Sequence, residues 1–228
     1  MKNKKKIPKF GELAVVIGTA LMALGTALAS HAGMGVSMVV APAYVISEKI
    51  PLTFGQTEWC FQALLLTVFC IVMKRFRVRY LLSFGAALIY GAMLDFWNLV
   101  VFAGLEPANP LLQWGLMLAS MVVVSIAVAF CFNSYMPQQI YELFVKDVSE
   151  KYKLNRNKFK IIYDYSSLAL ALVLSLILFH TAWGRGIGWG TVVTTLFNGL
   201  LIALFSRLLN RFIDFSPALP KVHKELTK

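Results

Sequence analysis

The sequence predicts an all-α, polytopic membrane bundle: six transmembrane helices, a re-entrant segment after the first, and a cytoplasmic amphipathic helix. Three observations carry this. The 228 residues are 58% hydrophobic and have a mean hydropathy of +0.69, against roughly 45–50% apolar usage in a soluble domain. Apolar runs occur near 12–32, 56–73, 80–103, 111–133, 161–180 and 188–209; each approaches the roughly 20 helical residues that cross a hydrocarbon core of about 30 Å. The basic residues, finally, are sorted between loops as a membrane topology requires.

The whole chain reads as a single membrane domain, with a basic amino-terminal stretch over 1–11, the spans within 12–209, an amphipathic segment over 136–160 and a tail over 210–228. The first run follows "MKNKKKIPK" and continues to Ala32, too long for a secretory signal with a small-residue cleavage site. It is retained as the first span. With the amino terminus inside, the inner segments hold Lys2, Lys4, Lys5, Lys6 and Lys9, then Lys74, Arg75, Arg77 and Arg79. They also hold Lys146, Lys151, Lys153, Arg156, Lys158 and Lys160, then Arg207, Arg211, Lys221, Lys224 and Lys228. Only Lys49 and Arg185 remain outside. The net charge of +11 is therefore a topology signal and an attraction to anionic lipid headgroups, not a nucleic-acid surface. Both termini are expected in the cytoplasm.

After the first span comes Met34 to Ile46, apolar but too short to cross, with Pro42 inside it and Gly33 and Gly35 before it. That length suits a re-entrant piece entering from the outer face. The lost donor at Pro42 is expected to interrupt the helix. Interrupted backbone at membrane depth survives only against protein or a water-filled cavity, so this stretch is expected to border a cavity. A second glycine phrase, "GIGWGTVV" from Gly186, echoes "GMGVSMVV" from Gly33. The echo hints at a parallel internal repeat, with convergent turn chemistry as the alternative. In both phrases free helix amides would form a site for an anionic or carbonyl group. Gly33, Gly35 and Ser37 are candidates on the first, and Thr191, Thr195 and Asn198 on a polar stripe of the last span.

Asp95 lies roughly 24 Å along the third span from Arg79, at 1.5 Å per residue. A submerged acid marks a pathway or, alternatively, a hydrogen bond to a neighbouring helix or a glycine-rich backbone. Asn98 shares its face. Glu58 opens the second span, where the helix dipole also favours an acid. His31 and His180 end the first and fifth spans. Together His31, Glu58, Asp95 and His180 would cluster on one side and serve ion coupling, protons above all; no metal or other cofactor is expected. Arg185 would clamp a carboxylate or phosphate, or remain a solvated loop charge. Gln62 is a lining candidate or helix-helix glue. Gly11, Gly18, Gly25 and Ala32 form a stripe for close packing, and Cys60, Cys70 and Cys131 lie in apolar runs as packing residues.

Residues 138–151 alternate Ile140, Leu143, Phe144 and Val148 with Glu142, Asp147, Glu150 and Lys151. The pattern predicts an amphipathic helix lying on the inner membrane surface, or docking a partner. Asp164 is expected to pair with Lys158 or Lys160. Neither a phosphate loop, a dinucleotide fingerprint, a zinc-protease helix pair nor a nucleophile elbow is present, so no enzyme is expected.

"GMGVSMVVAPAYVISEKIPLTFG", "IYGAMLDF", "QQIYELFVKDVSEKYKLNRNKFKIIYDY" and "GIGWGTVVTTLFNGLLIALF" resemble, in that order, the blocks of the YczE/YyaS/YitT family of bacterial integral membrane proteins, closest to the YczE-like branch. Gly91 to Asp95 matches the glycine-to-aspartate pattern of its third span. Gly190 and Thr191 match its last block, while Leu200 stands where a proline is usual after Gly199. The soluble carboxy-terminal domain of YitT-like members is not expected here. The resemblance implies a multi-pass bacterial inner-membrane protein grouped with permeases that have no agreed substrate.

The function expected is thus a permease or secondary transporter of a small polar solute, anions among the candidates, with a homo-oligomer or a protein partner as options. It would be driven by an ion gradient, the solute gradient or a separate energising subunit. Two alternatives stand beside it: a non-transporting accessory that docks a cytoplasmic partner, and the substrate-capture subunit of a multi-component transporter.

Overall fold

The computed structural model describes residues 10–74, 76–134, 136 and 139–216. Lys2, Lys4, Lys5, Lys6, Lys9, Arg75, Lys221, Lys224 and Lys228 of the topology argument lie outside the described residues. Six helices are long and apolar enough to span a membrane: Gly11–Ala32, Phe54–Met73, Arg79–Val101, Pro110–Asn133, Lys158–Phe179 and Trp189–Phe212. Each falls on a predicted run. The protein is an integral membrane helical bundle.

In chain order the helices are α1 (Gly11–Ala32), α2 (Ala41–Ser47), α3 (Phe54–Met73), α4 (Val78–Phe96), α5 (Pro110–Asn133), α6 (Ile140–Lys151), α7 (Arg156–Phe179) and α8 (Trp189–Phe212). α4 continues as a π-helical turn over Trp97–Val101. Local chemistry sets the ends. Thr53 caps α3 in a reciprocal box with Gln56, Asn109 caps α5 through Leu111 N–H ahead of Pro110, and Gly33 closes α1 in the left-handed region at φ 67°, which costs glycine no Cβ clash.

α1 and α5 form the central pair and run antiparallel. The Ser134 hydroxyl past the end of α5 donates to Gly11 O at the start of α1, 2.7 Å, and Ser120 donates to Gly25 O, 2.7 Å. The predicted small-residue stripe faces this contact: a Cβ on Gly18 would stand 2.7 Å from Cys131 Sγ, and one on Gly25 3.1 Å from Val124 N. Cys131 is buried in that seam, whereas Cys60 faces the exterior.

Two helices are too short to span, and both lie between α3 and α7. α2, seven residues or about 10 Å long, connects the ends of α1 and α3 at the face opposite the chain's start. Pro42 starts this helix instead of interrupting it, because in the first turn its missing N–H forfeits no helical bond. α6 enters from the amino-terminal face. Between Ser134, bonded to Gly11 O, and Gln139, whose amide lies 3.4 Å from Met22 Sδ, the chain rises about 16 Å along α1. α6 then returns beside α3, from Gln62 at its buried end to Val72, whose carbonyl accepts from Lys151 Nζ, 2.7 Å.

This seat differs from the surface position expected of an amphipathic helix. Ile140, Tyr141, Leu143, Val145, Asp147, Val148 and Ser149 are all buried, and α6 packs on α3, α4 and α7. The mixed pattern arises because its polar residues meet other helices, while Leu143 and Phe144 pack around Phe69.

Among the described residues the eight helices fall into two sets of four, each ordered long, short, long, long, and the second set runs opposite to the first. The packing repeats as well: α2 contacts α3 and α7, α6 contacts α7 and α3, α1 contacts α4, and α5 contacts α8. This is an inverted arrangement, not the parallel repeat the glycine phrases hinted at. Those phrases occupy unlike places, before α2 in the first set and before α8 in the second.

Gly25→Leu is expected to destabilise the α1–α5 seam by about 1–3 kcal/mol. Gly115→Leu, which meets no atom within 4 Å, should stay within about 0.5 kcal/mol, as thermal unfolding in detergent will measure. A second expectation concerns Asp147. Burial raises its carboxyl against the opposing pull of Arg79, so folding favours the protonated form. Its stabilising contribution is complete below about pH 4 and is lost as pH rises through the raised folded value. Asp147→Asn should therefore unfold at higher temperature than wild type near neutrality, with the gap closing on acidification.

Candidate functional site

The polar centre of the bundle is built on α3. Phe54, Glu58 and Gln62 follow one another at helical spacing and share a face. Tyr44 of α2 meets Phe54 edge-on with ring centroids 5.0 Å apart. One turn deeper, Tyr141 of α6 donates its hydroxyl to Glu58 Oε2, 2.5 Å. One turn further, Gln62 Oε1 accepts from Ile140 N–H, 3.3 Å, and Gln62 Nε2 donates to Gln139 Oε1, 3.4 Å. The two short helices are thus stacked along one side of α3.

Glu58 and Gln62 are both fully buried, at 0% exposure. Gln62 is helix-helix glue in a specific sense: it supplies an acceptor for the first amide of α6, which has no partner within its own helix. Glu58 is different. Oε2 is engaged, and among the described residues no donor reaches Oε1. Three phenols share its surroundings, Tyr90, Tyr141 and Tyr163, and Tyr90 donates to Thr26 Oγ1 on α1, 2.9 Å. A buried carboxylate with an unengaged oxygen costs several kcal/mol unless something positive or a donor comes to it.

Asp95 is committed elsewhere. Its Oδ2 accepts from Thr53 Oγ1, 2.5 Å, and its Oδ1 from Gly55 N–H, 2.7 Å. Both belong to the start of α3, so Asp95 binds α4 to the α3 amino terminus, the glycine-backbone alternative foreseen for it. Gly55 and Gly91 bring the two helices close enough: a Cβ on Gly55 would stand 2.6 Å from Asp95 Cγ.

The glycine phrases interlock with each other. Val36 N–H donates to Gly186 O, 3.0 Å, and Gly190 N–H to Met34 O, 2.8 Å. Thr191 Oγ1 donates to Val36 O, 2.8 Å. A Cβ on Gly35 would lie 2.6 Å from Gly188 N, so the crossing needs glycine for close approach. Two of the amides expected to receive an anion, Val36 N–H and Gly190 N–H, thus donate within the protein. Ser37 contributes its carbonyl to the start of α2, and Gly33 is exposed at the end of α1.

The remaining candidates are dispersed. Thr195 returns its hydroxyl to Thr191 O, 2.7 Å, Asn198 accepts from Ser125 on α5, 2.7 Å, and Asn98 from Ser30 on α1, 3.2 Å. Arg185 pairs with Glu48, 3.3 Å, and lies over Phe179, 5.0 Å from the ring centre. His31 Nδ1 lies 3.0 Å from Leu105 O, on a cleft of about 430 Å³ lined also by Ser30, Glu106 and Gln113. His180 is exposed. Glu58, which the sequence placed at the membrane surface with these histidines, is instead interior, because α6 comes in to cover it. At the amino-terminal face Lys160 sits between Glu142, 3.3 Å, and Asp164, 3.4 Å, one of the pairings expected for Asp164. Among the described residues no group of three His, Cys, Asp or Glu could hold a metal ion.

Sequence reasoning missed Tyr141, Gln139, Tyr90 and Tyr163. The usable signal was the Glu58–Gln62 spacing, which puts two costly side chains on one face and calls for polar partners from another element. Asp95→Asn should lower stability by about 1–2 kcal/mol through the weakened cap. Thr53→Val should cost a similar amount, and the double variant less than their sum, as a thermal-unfolding cycle will measure.

No curated protein and no solved structure matches the chain. A family model does, over residues 10–207, and the chain therefore belongs to DUF6198, a family of unknown function.

Proposed function

We propose that this protein is a permease or secondary transporter of a small polar solute, with its working site at Glu58 between the two short helices. The observation that carries the reading is the buried carboxylate with one oxygen beyond the reach of any protein donor. A stabilising role would engage both oxygens, as Asp95 does; intramembrane acids left partly open are characteristic of pathways and carriers. The inverted order of the two sets of helices supports the reading, since transporters commonly place solute and ion sites at the interface of such sets, beside broken helices. The resemblance to the YczE-like branch points the same way. In this proposal the protein lies in a bacterial inner membrane with both termini cytoplasmic, its basic face against anionic headgroups.

The accessory reading has less support. It asks Leu143 and Phe144 to face a partner, and they pack on Phe69, Tyr80 and Phe159.

The test is reconstitution. Vesicles of mixed neutral and anionic lipid carrying the full chain, loaded with a fluorescent pH or ion reporter, are challenged with pools of small polar metabolites. Wild type should give a solute-dependent signal, reduced at least tenfold in Glu58→Gln and retained in Asn198→Ala. A signal absent from wild type across the pools, or equal in wild type and Glu58→Gln, would refute the proposal.

A further inference from the structure

We infer that the occupant of Glu58 is a proton, and that this proton governs how the buried end of α6 is held against α3. For its physiological purpose the inference rests on the transport reading, but protonation itself is measured separately.

The identity of the occupant follows from what surrounds the carboxylate. Oε1 is fully buried without a protein donor, so it calls for positive charge or a hydrogen. Among the described residues the titratable groups that share its surroundings are Tyr141 of α6, which donates to it, with Tyr90 of α4 and Tyr163 of α7. All are neutral phenols. Lys160 of α7 is held by Glu142 and Asp164 at the amino-terminal face. Among the described residues an anion would thus meet one negative charge and no opposing cation, which makes an anionic solute a poor ligand for this carboxylate.

A metal cation is a poor fit for a different reason. Hard cations take about six oxygen ligands, and the neutral oxygens nearby already accept bonds: Gln62 Oε1 from Ile140, Gln139 Oε1 from Gln62, Thr26 Oγ1 from Tyr90. A proton needs no such shell. It bonds to Oε1 and removes the charge that made burial costly.

The mechanical consequence follows from Tyr141. Its bond to ionised Glu58 is charge-assisted and joins α6 to α3; on protonation it becomes an ordinary neutral bond of roughly half the strength. The buried end of α6 then depends mainly on Gln62, which binds both Gln139 and Ile140. Protonation therefore loosens one of the two polar attachments of this half-length helix and leaves the other.

Two measurements on the full chain in lipid test this. In pH-difference infrared spectra between about pH 4 and pH 10, wild type should show a carboxylic C=O band that titrates. The band should be lost in Glu58→Gln and kept, shifted, in Glu58→Asp. Tyr141→Phe leaves the carboxyl in place but removes the donor to its ionised form, and should move the midpoint up by about one to two pH units. Amide protection in residues 139–145, taken relative to the intrinsic exchange rate at each pH, should be at least tenfold lower on the acid side of the midpoint, and the same on both sides in Glu58→Gln. A band indifferent to Glu58→Gln, or a midpoint unmoved by Tyr141→Phe, overturns the inference. A titrating Glu58 band in a protein that moves no solute would uphold it while removing the transport reading.

Discussion

The structure depends on one constraint: inside a hydrocarbon layer every main-chain N–H and C=O needs a partner supplied by the protein. Six full-length helices meet it by themselves. The short helices cannot, because each leaves several end groups open. Their position between α3 and α7 is the solution, and the polar side chains of the spans are largely explained by it. Gln62 receives the first amide of α6, Thr191 closes Val36 O, and Asp95 with Thr53 secures the start of α3.

Seen this way, the intramembrane polar residues divide by use. Asp95, Asn98, Asn198 and Arg185 each have a side-chain or backbone partner within the protein. Glu58 has half of one. Its carboxylate joins α3 to α6 through Tyr141, yet its second oxygen contributes nothing to the fold. Replacing such a group with an apolar one of similar volume is often neutral or stabilising, so the acid at this position costs the fold more than it returns.

The close α1–α5 seam makes the arrangement feasible. Gly18 and Gly25 let the central pair approach at side-chain contact distance, which leaves α3 and α7 to flank the short helices. α2 and α6 then approach from opposite faces with the Glu58 layer between Tyr44 and the amino-terminal surface.

Much of the architecture was legible in the chain. Hydropathy and the alternation of basic loops dictated six spans, since transfer free energy is additive along a helix and needs no knowledge of neighbours. The Gly18 and Gly25 stripe and the short segment after Gly33 were readable for the same reason: spacing on one helix is a local property. The partnering of the submerged acids was not. Asp95 and Glu58 carry the same charge in equally apolar sequence, and the difference between a satisfied acid and an open one lies in Thr53 and Gly55 for the first and in Tyr141, more than eighty positions away, for the second. The amphipathic pattern of 138–151 likewise suits a membrane surface or a polar interior layer, and only packing on α3, α4 and α7 selected the interior. The sequence by itself determined which segments cross the membrane; the tertiary structure decided which of the submerged polar groups have partners, because a hydrogen bond between helices depends on their relative placement and leaves no periodic trace in either one.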